Sequence, residues 1–141
     1  MATFYTYFKE NMEDLGLPAP DTLFGTLGAA VANTGTLLGA IDKFGTRVTI
    51  GELLGAGTKL EGLAVIGACS AAFYAGAVIG SLAVASGRYF SGGTSLSDVM
   101  DYAIRNQLSR PWLSDTLMRS PGIYNKSAAN RNTYRIRHGY I

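Results

Sequence analysis

The stretch that decides the fold is GLAVIGACSAAFYAGAVIGSLAVASG, residues 62–87, which runs for 26 residues without one charged side chain. Sixteen of these residues are glycine, alanine or serine, so the run is only moderately apolar and its surface is smooth. A helix rises about 1.5 Å per residue, so one of this length can cross a hydrocarbon layer of about 30 Å with length to spare. We therefore expect these residues to form a helix that can span a bilayer.

A second uncharged run precedes it. Residues 22–41, TLFGTLGAAVANTGTLLGAI, carry no charge over 20 residues, although threonines and Asn33 dilute the apolar character. A helix of this length just covers the same hydrocarbon layer. The connection, residues 42–61, mixes three basic and three acidic groups with four glycines, which is typical of a linker or an interfacial helix. The pattern predicts a glycine-rich helical hairpin over 21–93.

Amphipathic segments flank this hairpin. In residues 1–20, four apolar side chains recur at helical spacing before a glycine and two prolines end the segment. They are Phe4, Phe8, Met12 and Leu15. Residues 94–141 begin with a helix over the stripe from Leu96 to Leu108, capped by Ser95 with Asp98 and ended at Arg110-Pro111. A short helix from Leu113 to Met118 and a polar, basic tail follow.

The charges are divided unevenly along the chain. Residues 1–87 have a net charge of −3, whereas residues 88–141 carry eight basic and three acidic groups, a net charge of +5. A basic segment of this kind is a solvated tail, a lipid-binding surface or a nucleic-acid-binding surface. No known nucleic-acid motif is present, so we expect no nucleic acid partner. The candidate lipid-surface residues are Arg88, Arg131, Arg135 and Arg137.

The chain offers little material for catalysis. It has one cysteine and one histidine, which excludes an intramolecular disulfide and leaves a poor supply of zinc ligands. Cys69 lies inside the longest apolar run, where a buried and inert thiol is expected, and His138 has no Cys, Asp or Glu within twenty residues. We therefore expect no enzyme activity, no catalytic residues, no metal and no cofactor.

The glycines form three GxxxG motifs, which are Gly35 to Gly39, Gly51 to Gly55 and Gly76 to Gly80. Around the third motif, small residues recur every four positions at Ala68, Ala72, Gly76 and Gly80. Such a helix has a groove along one face, so another helix can approach closely and gain dispersion contacts, which drive association in lipid. Tightly packed hairpins in water also contain such ladders, although each mid-helix glycine costs about 1 kcal/mol relative to alanine there. Asn33 is a candidate for a pore lumen, and equally for a polar helix end.

The chain resembles the glycine-zipper, pore-forming antibacterial effectors that type VI secretion systems deliver into competing bacteria. The resemblance rests on GTLLG (35–39), GELLG (51–55) and AFYAGAVIG (72–80), in a small chain without a signal peptide. It implies insertion into the target cell's inner membrane, self-association into ion-conducting pores and loss of membrane potential. It further implies a secretion-tube carrier protein, a cognate immunity protein and a cytoplasmic location in the producing cell.

The sequence thus predicts an all-α fold with a small Gly/Ala-rich hairpin, flanking amphipathic helices and the ability to insert in a membrane. The expected function is pore formation as an antibacterial toxin. Two alternatives remain open. One is a non-toxic small membrane protein, such as a phage holin or a scaffold, and the other is a soluble helical interaction module whose glycines only allow tight packing.

Overall fold

The computed structural model describes residues 4–89 and 95–124, and within these residues every regular element is helical. The predicted all-α class is therefore confirmed. The α-helices are α1 (Phe4–Asp14), α2 (Asp21–Phe24), α3 (Leu27–Phe44), α4 (Ile50–Gly55), α5 (Ala71–Tyr89), α6 (Leu96–Arg105) and α7 (Leu113–Arg119). A first 3₁₀ helix spans Glu61–Ile66 and a second spans Pro121–Ile123.

Helix α1 forms where the apolar spacing predicted it. Its buried face includes Phe8 and Met12, and it packs along α5. Gly16 ends the segment with a positive φ of 77°, a conformation that glycine adopts without strain. The proline segment that follows is held by two tyrosines: the Tyr5 hydroxyl donates to the Ala19 carbonyl at 2.6 Å, and the Tyr74 hydroxyl donates to Pro18 at 2.8 Å.

The single helix predicted over 22–41 is wrong, because the chain breaks between α2 and α3. Thr26 adopts an extended backbone there, and its hydroxyl accepts a hydrogen bond from the Ala29 N–H at 3.1 Å. This is the geometry of an N-cap, so Thr26 starts a new helix instead of continuing the old one. Helix α3 then continues past the uncharged run and ends at Phe44.

The long run over 62–87 is not one helix either. Residues up to Ile66 form the first 3₁₀ helix, and α5 begins only at Ala71. The backbone in between pairs with the start of α4, because the Gly51 N–H donates to the Gly67 carbonyl and the Ile50 N–H donates to Cys69, both at 2.9 Å. These long-range bonds use carbonyls that a continuous helix would need for itself.

Helix α5 lies at the centre of the molecule. It contacts α1, α3, α6, α7 and the second 3₁₀ helix. Helices α3 and α5, the two parts of the predicted hairpin, do pack together, but α4 and the first 3₁₀ helix intervene between them in the chain. The core is therefore a bundle wrapped around α5 rather than a two-helix hairpin with separate flanks.

The C-terminal helices also follow their sequence signals. Ser95 and Asp98 form the predicted capping box, in which each side chain accepts a hydrogen bond from the other residue's backbone N–H. Helix α6 ends at Arg105, five residues before the predicted stop at Arg110-Pro111. The cause is a turn in which Gln107 has a φ of 60°. Helix α7 occupies the predicted position.

Candidate functional site

The candidate site is the buried helix α5 together with the glycine-containing helix faces. Every residue from 71 to 85 is buried, and none of them is charged. A helix that is apolar on all sides belongs either in the interior of a protein or in a membrane. Here the surrounding helices provide that interior within a chain of 141 residues.

The glycines of the third motif lie where α5 meets α7 and the second 3₁₀ helix. A Cβ added at Gly76 would lie 2.9 Å from Cγ2 of Thr116, and one at Gly80 would overlap Cγ2 of Ile123. Ala72, one turn earlier, is buried on the same helix. The close approach predicted for this face takes place inside one chain.

The second motif is split between two environments. Gly51 lies against the backbone of Gly67, where a Cβ would come 3.0 Å from the carbonyl oxygen. This approach is between α4 and the turn before α5, and not between two long helices. Gly55 is the last residue of α4, and no atom of the described part of the chain lies within 4 Å of a Cβ added there. The two glycines therefore do not form one helix-packing groove.

The first motif lies on an open face of α3. A Cβ added at Gly35 or Gly39 would meet no atom of residues 4–89 and 95–124 within 4 Å, and Gly39 is exposed. Asn33, the candidate lumen residue, is half-buried, and its Nδ2 donates to the Leu23 carbonyl at 2.7 Å. This bond satisfies a carbonyl of the short helix α2, so Asn33 ties α2 to α3 in this structure.

A buried polar cluster lies between α1, α5 and the second 3₁₀ helix, and the sequence analysis missed it. Asn11 is fully buried, and its Nδ2 donates to the Ser81 hydroxyl and to the Ile123 carbonyl, both at 2.8 Å. The Ser81 hydroxyl contacts the sulfur of Met12 at 3.2 Å. A signal was present, since Asn11 follows Phe8 by three residues and therefore falls on the apolar face of α1.

Cys69 is buried, and desolvation raises the pKa of its thiol to about 12. The thiol thus stays protonated at neutral pH, and a protonated thiol is a poor nucleophile and a poor metal ligand. No group of three or more His, Cys, Asp or Glu side chains that could hold a metal ion occurs in the part of the chain that the structure describes.

The candidate lipid-surface residues fall outside the part of the chain whose side chains the structure describes. Arg131, Arg135 and Arg137 lie outside the described residues, as does His138. Arg88 belongs to the last turn of α5, but its side chain is likewise outside the described set.

Two further findings concern membrane-spanning helices and similarity to known proteins. Within residues 4–89 and 95–124, no helix combines the length and the apolarity that a membrane crossing requires. No family model matches the chain, and no curated protein and no solved structure is significantly similar to it.

Proposed function

We propose that this chain is a pore-forming antibacterial toxin that keeps its most apolar helix buried until it meets a membrane. The observation that carries the proposal is the burial of α5 over residues 71–85 beneath helices that are amphipathic. In water the neighbouring helices cover the apolar surface of α5. At a bilayer, lipid tails can cover the same surface, so α5 can be buried either in the bundle or in the membrane.

The surrounding helices suit this exchange. Helix α6 buries Val99 and Ala103 on one face and exposes Asp98, Asp101 and Arg105 on the other. A helix of this kind can leave the bundle and lie in the interface of a bilayer with its apolar face in the acyl region. The proposal therefore assigns surface binding to the outer helices and insertion to α5.

Self-association is assigned to the open glycine face of α3. Gly35 and Gly39 already offer a close approach to a second helix, because no described residue lies within 4 Å of a Cβ added at either position. In a membrane such contacts contribute to helix association, since apolar burial between helices supplies little there. The hydroxyls of α3 and α5 and the amide of Asn33 could then face a lumen in the assembled pore.

The remaining parts of the proposal follow the resemblance to secreted effectors. The chain would be held in the cytoplasm of the producing cell, bound by a carrier protein of the secretion tube and neutralised by an immunity protein. Its target would be the inner membrane of the competitor, where conduction of ions dissipates the membrane potential.

A helical interaction module is the second candidate, and one observation favours it. Gly76 and Gly80 make close contacts with Thr116 and Ile123 of the same chain, so tight packing alone accounts for these two glycines. Under this alternative α5 never leaves the bundle.

Leakage from vesicles separates the two candidates. Purified protein is added to potassium-loaded vesicles of phosphatidylethanolamine and phosphatidylglycerol, and potassium release is recorded beside release of a large co-encapsulated dextran. The pore proposal expects potassium release with the dextran retained. Protein that binds the vesicles without releasing potassium would support the interaction module, and release of both solutes would indicate general lysis instead of a pore.

A further inference from the structure

Residues 95–124, which we call the C-terminal strap, lie on α5 as one unit. Their three helices are α6, α7 and the second 3₁₀ helix, and these make their extensive contacts with α5 and with one another. Tyr102 of α6 adds a side-chain hydrogen bond with Ser86 of α5. Within the described residues, every backbone-to-backbone hydrogen bond of the strap stays inside the strap. Contacts that involve side chains therefore hold it on the rest of the bundle.

The C-terminal strap covers the glycine face of α5. The atoms nearest to a Cβ added at Gly76 belong to Thr116 and Leu113, and those nearest to one at Gly80 belong to Ile123 and Leu117. All four side chains are part of the strap. Because the added Cβ at Gly80 would overlap Cγ2 of Ile123, the fit leaves no space for another helix. The third GxxxG motif is therefore closed to any new partner as long as the strap stays in place.

Two polar contacts within the described residues tie the strap to helices other than α5. Between α6 and α7, the Arg110 Nε donates to both carboxylate oxygens of Asp42 in α3, each at 3.0 Å. At the far end of the strap, the Ile123 carbonyl accepts from the Nδ2 of Asn11 in α1 at 2.8 Å. The first contact is a charge-assisted pair, which is stronger than a neutral hydrogen bond. Opening of the strap requires that both contacts break.

A cavity of about 350 Å³ separates α7 from the α3–α4 loop. Thr46 and Arg47 of the loop line one side of it, and Trp112 and Asp115 line the other. Side chains on opposite sides of such a gap make no direct dispersion contacts with each other. The strap is therefore packed closely on α5 but only loosely beside the α3–α4 loop.

We infer that the C-terminal strap is an autoinhibitory element, which opens as one unit and thereby uncovers Gly76 and Gly80 of α5. Its backbone hydrogen bonds are its own, so its helices can move away without unfolding. Helices α1 and α3 keep their contacts with α5 during this step, because the strap does not lie between them and α5. Opening of the strap is a property of the folded chain, whereas its autoinhibitory role rests on the proposed function.

Hydrogen exchange of the full-length protein without lipid, followed by mass spectrometry, tests the opening. Peptides from the strap should exchange together and faster than peptides from α1 and α3. Asp42→Asn breaks the ion pair, so exchange in α7 should become about threefold faster or more, with no change in α1. Arg110→Gln should have the same effect, and the two substitutions together no larger one, because they break a single contact. The matched control is Asp101→Asn, which breaks a pair with Arg105 inside α6 and should leave exchange in α7 unchanged.

Potassium release from vesicles tests the autoinhibitory role. Asp42→Asn should raise the initial rate by about the same factor as it raises exchange, and Asp101→Asn should not. If the strap and α1 exchange at one rate and respond equally to Asp42→Asn, opening of the strap as a unit is overturned. If the native protein releases potassium and Asp42→Asn does so no faster, the autoinhibitory role is overturned. Absence of release by every variant, with the expected exchange pattern, would overturn the proposed function and the role that rests on it, but not the opening. Circular dichroism verifies that each variant is folded.

Discussion

At the scale of single residues, two kinds of glycine carry different roles. Gly76 and Gly80 have α7 and the second 3₁₀ helix directly above them, whereas Gly35 and Gly39 have open space. We expect Gly80→Ala to lower the free energy of unfolding by about 1–3 kcal/mol, because its new Cβ would overlap Ile123. Gly39→Ala should leave it unchanged or raise it by up to about 1 kcal/mol.

Urea unfolding followed by circular dichroism measures both effects. Gly35→Ala should behave like Gly39→Ala, and Gly76→Ala should behave like Gly80→Ala. If all four substitutions stabilise the protein equally, the close packing around the third motif is not present in solution.

Cys69 gives a prediction about pH. Burial raises the pKa of its thiol to about 12, so between the ordinary thiol pKa and this value the unfolded chain loses a proton that the folded chain keeps. The contribution of Cys69 to stability is therefore intact at neutral pH and falls as the pH rises, by at most about 1.4 kcal/mol per pH unit.

Other groups also titrate in alkali, so the comparison is made with Cys69→Ala. The stability difference between the native protein and this variant should shrink between about pH 8 and about pH 10.5. A difference that stays constant over this interval would mean that the thiol is already accessible to water in the folded state.

At the scale of elements, the sequence predicted some helices well and others poorly. Helices α1, α6 and α7 were predictable because their apolar spacing and the Ser95–Asp98 cap are local signals. The break at Thr26 does not show in the charge pattern, because an uncharged run can contain one helix or two, although threonine is a favoured N-cap. The irregular backbone before α5 accepts hydrogen bonds from α4 at Gly67 and Cys69, and such distant pairing leaves no periodic pattern in the sequence.

The same reasoning applies to the candidate site. The ladder around Gly76 and Gly80 indicated a groove, but not that α7 and Ile123 would fill it. The cavity at the start of α5, lined by residues such as Arg47, Phe73 and Trp112, could not be predicted, because its residues come from three separate segments. The hydrogen-bond partners of Asn11 could not be predicted either, since they lie 70 and 112 residues away in the chain.

The prediction about assembly in the membrane concerns the open glycine face of helix α3. Gly35→Ile and Gly39→Ile place branched side chains on the open face, so the bundle should remain folded while a second helix is kept at a distance. We expect normal vesicle binding and potassium release reduced about tenfold or more. A tenfold reduction corresponds to a loss of about 1.4 kcal/mol in the free energy of helix association.

The matched control is Thr22→Ile, which adds a branched apolar side chain at an exposed position of the neighbouring helix α2, outside the motif. Potassium release that is unaffected by Gly35→Ile and Gly39→Ile would show that the α3 face is not the assembly contact. An equal loss with Thr22→Ile would point to bulk at the surface rather than to the glycines.

In the molecule as a whole, the proposed function requires α5 to separate from its neighbours. Helix α1 packs extensively against it, and the buried bond between Asn11 and Ser81 joins the two helices. The Nδ2 of Asn11 and the Oγ of Ser81 are 2.8 Å apart, so cysteines at these two positions face each other and are tested for disulfide formation. Asn11→Cys with Ser81→Cys, in a Cys69→Ser background, would hold α1 on α5 when oxidised and release it when reduced.

Potassium release by this double variant is the most direct measurement, with the single Ser81→Cys variant in the same background as the control. Thiol titration establishes that the bond has formed, and circular dichroism that the helical bundle is intact. We expect no potassium release by the oxidised double variant, recovery on reduction, and no redox dependence in the control. Equal release by the oxidised and reduced double variant would contradict it, because α5 would then be acting without separating from α1.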